Sequence, residues 1–222
     1  MSSDKKGILV VVSGFSGAGK GTIMKSLMSK YGDFYALSIS ATTREPRPGE
    51  VNGKDYFYVS KQEFEQMIKD DKLIEYAQYV GNYYGTPKAY VEEQLNSGKS
   101  VILEIEIQGA LKVKKKFPDT KLLFVTAPSA MQLKNRLIGR GTETSDVIEA
   151  RLKRACEESQ GIEQYDYLVI NDQLDDCVNR VHQILQSEKN GMGADNSSER
   201  VSANIDLIKN MRDELTGFSK GE

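Results

Sequence analysis

The sequence predicts an α/β fold. A parallel five-stranded sheet carries helices on both faces, with a small mixed α/β subdomain inserted into it and a helical lid. Three observations predict this. An apolar run at residues 8–12 leads through a glycine loop into a helical pattern. Apolar runs alternate with helical patterns through the second half of the chain. Between these halves, residues 36–97 break the alternation with short strands and aromatic residues.

The elements follow in order. Residues 8–12 read as a buried strand, the loop follows, and a helix runs over 22–30. Residues 36–40 alternate with period two, as a half-exposed strand does. Residues 41–52 form a loop stiffened by Pro46 and Pro48. A strand is expected at 56–59, then a capping box from Ser60 to Glu63 opens a helix to about Lys69. A hairpin is expected from 73–80 and 83–86 about Gly81 and Asn82, and Pro87 opens the next helix at its first position. Core strands are expected at 101–106, 122–125 and 167–170. Helices are expected at 110–117, 130–138, 146–159 and 174–188, with a second capping box from Ser129 to Gln132. Residues 191–198 have the composition of a flexible linker. Val201, Ile205, Ile208, Met211, Leu215 and Phe218 then share one helical face. That face can dock on this chain, on a second copy or on another partner.

Composition narrows the function classes. With 222 residues and a formal net charge of −2, the chain offers no basic stripe for nucleic acid, and none is expected as a partner. No apolar stretch is long enough to span a membrane, and residues 1–6 carry no leader-like cleavage site. Cys156 and Cys177 lie apart without metal-ligand spacing and read as free thiols of a cytoplasmic protein. His182, the single histidine, reads as a surface helix residue.

The chemistry starts at Gly14, Phe15, Ser16, Gly17, Ala18, Gly19, Lys20, Gly21 and Thr22. Glycines let several backbone N–H groups converge on one phosphate, and the following helix N-terminus adds positive potential. Lys20 supplies a point charge for the β- and γ-phosphates. A bland glycine turn needs neither three such glycines nor the lysine. The hydroxyl stands one residue later than the general phosphate-loop pattern puts it, at Thr22, where it meets a magnesium ion through water or a phosphate directly. Arg44 and Arg47 form a second constellation on the proline-stiffened loop, where two guanidinium forks can grip one phosphate dianion. Alone, that loop also reads as a solvated surface.

These motifs together resemble the guanylate kinase family. The resemblance is carried by 14–22, by Ser38 through Glu50, by Gly53-Lys54-Asp55-Tyr56-Phe57-Tyr58 and by Ile74-Glu75-Tyr76-Ala77. It continues through Gly81 to Thr86, Glu104 to Gly109, Arg140 to Thr144 and Val169 to Asp172. It spans about residues 7–188 and implies transfer of a phosphoryl group from ATP to GMP, and to dGMP, with Mg²⁺. It implies a domain over 1–190, with its core at 1–35, 98–128 and 159–190, a GMP-binding insertion at 36–97 and a lid at 129–158. Residues 191–222 stay outside as linker and helix.

The resemblance also implies roles. Arg44, Arg47, Tyr56 and Tyr84 hold the GMP phosphate, and Ser40, Glu75, Thr86 and Glu106 read guanine. The loop and Lys20 hold the ATP phosphates, and Asn171 falls at the adenine contact. Arg136, Arg140 and Arg151 belong to the lid. Glu106 replaces the family's common Asp. The chemistry of guanine agrees, because a carboxylate accepts both N1–H and N2–H₂ and a hydroxyl donates to O6. Glu104, at the end of a core strand, is placed to orient magnesium waters. An anionic acceptor phosphate needs no general base, and the chain places no dyad about its one histidine.

Overall fold

The computed structural model describes residues 6–79, 81–139 and 144–220. The chain opens with β1 (Leu9–Gly14) and α1 (Lys20–Tyr31), followed by β2 (Tyr35–Leu37), β3 (Ala41–Thr42) and β4 (Phe57–Tyr58). Next come α2 (Lys61–Lys69), β5 (Leu73–Tyr79), β6 (Asn82–Pro87) and α3 (Lys88–Asn96). The second half alternates β7 (Ser100–Glu104), α4 (Ile107–Lys116), β8 (Lys121–Thr126), α5 (Ala130–Ile138), α6 (Ser145–Ser159), β9 (Tyr167–Ile170) and α7 (Leu174–Lys189). The last element is α8 (Ile205–Lys220).

Two sheets result. The main sheet has five parallel strands in the order β2-β7-β1-β8-β9. Its central strand β1 lies between β7 and β8, so Val10, Val11 and Val12 are fully buried. A continuous apolar run suits a strand covered on both faces. The loop after β1 and the last residues of β7 and β9 therefore meet at the carboxyl edge of the sheet, where open α/β sheets bind ligands. The second sheet, in the order β4-β3-β6-β5, is mixed: β3 runs parallel to β4 and antiparallel to β6. Its small core is Ala41, Phe64 and Leu73, with Tyr83 stacked on Phe64 at 5.2 Å.

Local signals formed largely where the sequence placed them. Ser60 and Glu63 make the reciprocal capping box at the start of α2. Ser129 accepts from the Gln132 N–H at 3.2 Å at the start of α5. Pro87 is the residue before α3 rather than its first. α1 begins at Lys20, two residues before the expected start, because Gly19 takes a left-handed conformation (φ 90°) and starts the helix at once. β7 ends at Glu104 and not at Glu106, since the backbone turns there into α4, which opens at Ile107.

Two further expectations change. Residues 191–198 are not a loose tether. Gly193–Glu199 forms 3-10 turns, and the Gly193 carbonyl accepts from Tyr167 and from Arg200, whose guanidinium lies 4.3 Å from the Tyr167 ring centre. His182 is half-buried rather than on the surface. Its ring stacks on Tyr31 at 3.8 Å and pairs with the Tyr35 hydroxyl at 2.8 Å, and burial lowers its pKa. Cys156 and Cys177 are both free, and burial pushes the Cys177 thiol up to about 11.

Helix α8 seats Ile208, Met211 and Leu215 in the main core, in one cluster with Leu133 and Leu137 of α5 and Leu152 and Ala155 of α6. Each such side chain contributes about 1.5–3 kcal/mol on burial. Among the described residues, no helix is long and apolar enough to cross a membrane.

Candidate active site

Glycine is required at two points of the phosphate loop. A Cβ on Gly14 would lie 2.1 Å from the Val125 carbonyl oxygen, so a side chain there would drive β8 from β1. Gly19 has φ 90°, and a Cβ there would lie 2.5 Å from Asn171 Nδ2. That amide donates to the Ala18 carbonyl at 2.8 Å, so Asn171, just past β9, braces the loop from below. Phe15 anchors the loop from the other side, buried edge-on against Phe124 at 4.9 Å. Gly17 and Ala18 are held between these anchors, with Ala18 fully buried. Gly21 and Thr22 stand exposed in the first turn of α1.

Lys20 folds back over the loop. Its ammonium donates to the Gly14 and Phe15 carbonyls, the latter at 3.3 Å. Lys20, Gly14 and Ser13 line a cavity of about 120 Å³ with Glu104, Ile105, Glu106, Ile107 and Glu158. Solvent reaches the Glu104 side chain, yet the protein around its carboxyl raises its pKa, and the nearby Lys20 charge offsets part of that rise. A carboxylate and an ammonium thus converge at the carboxyl ends of β7 and β1.

One arginine touches the loop and a second touches the residue that braces it. Arg151 of α6 donates to Ser16 Oγ at 2.6 Å. Arg136 of α5 donates to the Asn171 carbonyl at 2.8 Å. Arg140 lies outside the described residues, so nothing is said of its position.

The second sheet carries the other constellation. Arg44 lies under Tyr56 and Tyr58, its guanidinium carbon 5.4 and 5.9 Å from their ring centres. Tyr84 closes the group, 6.1 Å from Tyr56 between ring centres. Arg47, three residues on, is exposed. Glu50 organises the whole loop. It accepts from Arg44 at 2.9 Å on both oxygens, from the Arg47 N–H at 2.7 Å and from the Tyr58 hydroxyl at 2.7 Å. The Arg47 N–H, then Tyr58 and Arg44, hold its carboxyl down at about 2. Glu50 is a site residue that the motif reading quoted but gave no role. The signal was present: a carboxylate three residues beyond the second arginine, after a Pro-Gly turn.

Glu75 and Thr86 meet across the hairpin. The strands pair Leu73 with Pro87 and Tyr76 with Gly85, so Ile74 and Glu75 together oppose Thr86 alone. That is a β-bulge, which re-aims the side chain it carries. The Thr86 hydroxyl, fully buried, donates to Glu75 Oε1 at 2.8 Å. Burial raises the Glu75 carboxyl above its ordinary value, with Thr86 and then Lys112 pulling it partly back. Glu75 Oε2 also lies 3.8 Å from the position a Cβ would take on Gly109, so β5 approaches α4 here. Ser40, half-buried, accepts from the Phe57 N–H through its carbonyl at 2.9 Å and continues the β3–β4 pairing.

Glu106 lines the Lys20 cavity beside Glu104. It sits before the first residue of α4 and pairs with Arg154 of the lid at 2.6 Å. The strand expected over 101–106 ends at Glu104, so the two carboxylates do not sit on one strand face.

Comparison with known proteins gives one answer. A family model described as guanylate kinase matches residues 6–188. A guanylate kinase of Oceanobacillus iheyensis is 53% identical over 184 residues, covering 83% of this chain and 89% of the relative. A guanylate kinase of Caldanaerobacter subterraneus subsp. tengcongensis is 48% identical over 214 residues, covering 96% and 99%. The crystal structure of guanylate kinase from Anaplasma phagocytophilum is similar with a TM-score of 0.63 at 31% identity, covering 83% of this chain and 87% of that one.

Proposed function

The chain belongs to the guanylate kinase family and catalyses ATP-dependent phosphorylation of GMP, and from that premise we propose which residues perform the reaction. The observation that carries the reading is the half-buried Glu75 carboxylate, set on a bulge and fixed by Thr86. A raised, half-buried carboxylate is costly to keep unless a ligand with donors completes it. Guanine offers two adjacent donors on one edge, and Thr86 and Ser40 supply hydroxyls beside them. The roles assigned to this set are to the base and the phosphate, so dGMP is proposed as a second acceptor.

Arg44, Arg47, Tyr56 and Tyr84 hold the GMP phosphate, with Glu50 keeping Arg44 extended under the tyrosines. The loop 14–22 cradles the ATP phosphates. Asn171, whose amide is engaged with Ala18, serves the nucleotide by shaping that loop as well as by lying near the adenine. On transfer, a GMP phosphate oxygen attacks the γ-phosphorus and the bond to the ADP oxygen breaks. The attacking oxygen is already anionic, so no protein base takes a proton. Lys20 leaves the Gly14 and Phe15 carbonyls for the phosphates, and Arg136, Arg140 and Arg151 neutralise charge growing on the equatorial oxygens. The insertion 36–97 and the lid 129–158 exclude water by closing on the core of the 1–190 domain.

Mg²⁺ accompanies ATP in this reading. A carboxylate at the strand end beside a phosphate loop fits that ion, which keeps most of its waters and takes other ligands from phosphates. Glu104, with Thr22, would hold it through water, and the bound ion would draw charge from the β- and γ-phosphates. The burial of Ile208, Met211 and Leu215 supports docking of α8 on this chain rather than on a second copy. Free thiols and these two substrates support a cytoplasmic place of work. Calorimetric titration with GMP and AMP tests the reading: GMP should bind at least ~10²-fold tighter. Equal affinity would remove Glu75 as the base reader.

A further inference from the structure

The family match ends at residue 188, and the reaction as described makes no use of α8. Yet α8 touches both limbs of the lid. At the root of α5, Glu214 accepts from the Ala130 N–H at 3.1 Å. That N–H has no partner within its own helix. One turn on, the Lys134 ammonium lies 4.4 Å from the centre of the Phe218 ring. At the root of α6, Arg212 donates to the Ser159 carbonyl at 2.8 Å, and it also pairs with Glu163. Cys156 and Thr216 meet at 3.4 Å. Between these polar ties, Met211 and Leu215 are buried in one cluster with Leu133, Leu137, Leu152 and Ala155.

The two limbs carry two arginines, one on the phosphate loop and one on the residue that braces it. Arg136 sits in the last turn of α5 and touches Asn171, and Arg151 lies at the middle of α6 and touches Ser16. Two helices joined at one end can splay about their shared contact. A third helix packed on both, with polar ties at both roots, removes that freedom. We propose that α8 is a positioning element for phosphoryl transfer: it holds α5 and α6 at the mutual angle that carries Arg136 and Arg151 together to the phosphate loop when the lid closes. Positioning of this kind acts on the transition state, because displacing a catalytic group by ~1 Å can cost ~10²-fold in rate. The proposal rests on the reading that the lid arginines serve the transferring phosphoryl group. Glu214 and Arg212 are its positioning residues. They lie on the side of the lid where α8 packs and touch neither Lys20 nor Glu75.

The test uses the full chain with Glu214→Ala and Arg212→Ala, singly and together, each with and without Arg151→Ala. Turnover at saturating ATP and GMP is measured beside calorimetric GMP affinity. The expected result for the double variant is a kcat lower by about tenfold, with GMP affinity unchanged within about twofold. Glu214→Gln, which keeps an acceptor for Ala130, should stay near the parent rate. In the Arg151→Ala background the same pair should cost clearly less than in the parent, because one of the two groups it positions is gone. An unchanged kcat in the double variant would overturn the proposal, and so would a loss of equal size in the Arg151→Ala background. A normal rate for Arg151→Ala alone would remove the arginine reading itself and the proposal with it. A slow Arg151→Ala beside a fast double variant would remove the proposal alone. Should the double variant fail to fold, Glu214→Ala, at an exposed position, makes the same comparison.

Discussion

Glu75→Gln should weaken GMP binding and strengthen the fold at the same time. Both effects follow from one carboxylate. Burial comes first among the causes that raise its pKa, with Thr86 and Lys112 working against it. A raised carboxyl pKa means that the folded protein holds the proton more tightly than the unfolded chain. The stability it contributes is therefore present in acid and is lost as pH rises from the ordinary carboxylate range through the raised value. Above that raised value Glu75 is a destabilising charge. Glutamine keeps the Thr86 hydrogen bond through its carbonyl and removes that charge, so the melting temperature should rise, each ~1 kcal/mol appearing as about 2–4 °C. GMP binding responds in the opposite sense. Glutamine offers one acceptor where guanine has two donors, and one buried donor is left facing an NH₂. The loss of a charge-assisted bond and the stranded donor together cost roughly 2–4 kcal/mol, or about 30- to 700-fold in Kd. AMP, whose N1 is an acceptor, should bind no worse. Thermal melts and titrations with GMP and AMP over pH 4–8 measure both. A variant that loses stability, or that loses GMP and AMP affinity equally, would refute the reasoning.

Other predictions are separable. Lys20→Met should lower kcat by roughly 3–4 kcal/mol of barrier while the far-ultraviolet spectrum and GMP affinity stay unchanged, since the lysine serves the ligand and not the core. Near-normal turnover would remove it from the reaction. Glu50→Gln should free Arg44 and weaken GMP binding about fivefold, for the loss of ~1 kcal/mol of ordering. The Glu50 carboxyl, lowered to about 2, is ionised throughout ordinary working conditions, and what it contributes is lost only as pH falls through that value. The acid limb of GMP binding should therefore follow Glu75 and survive in Glu50→Gln; its disappearance there would reverse the assignment. Gly19→Ala should raise the KM for ATP and lower stability by ~1–3 kcal/mol, because a left-handed backbone and the Asn171 amide both resist the new methyl. Unchanged ATP kinetics would show that the loop does not depend on that brace.

What could be read from sequence was what is local. The phosphate loop is nine consecutive residues, the Ser60–Glu63 capping box spans four, and the buried strands are continuous apolar runs. These formed nearly in place because their causes lie within a turn or a strand. Residues whose meaning depends on distant partners were harder. The inward aim of Glu75 comes from a bulge that needs the register of β5 against β6, which no single stretch contains. Glu106 looked like a strand-end carboxylate beside Glu104, but the strand stops first and Arg154 takes the charge from 48 positions away. Residues 191–198 are polar and small enough to read as a tether. They are held by Tyr167 and Arg200, whose roles there appear only once β9 is placed. The periodic face of α8 was plain, while its seat on α5 and α6 depends on how the lid folds.

The most direct test of the central claim is ADP formation with ATP, Mg²⁺ and each nucleoside monophosphate in turn. A phosphate loop facing a guanine site built on Glu75 and Thr86 predicts rapid ADP release with GMP. It also predicts release with dGMP, and a specificity constant for AMP lower by at least ~10²-fold. It predicts almost no ADP without an acceptor, because the lid and insertion close only when both sites are filled. Equal turnover of AMP and GMP, or steady ATP hydrolysis with no monophosphate present, would contradict it.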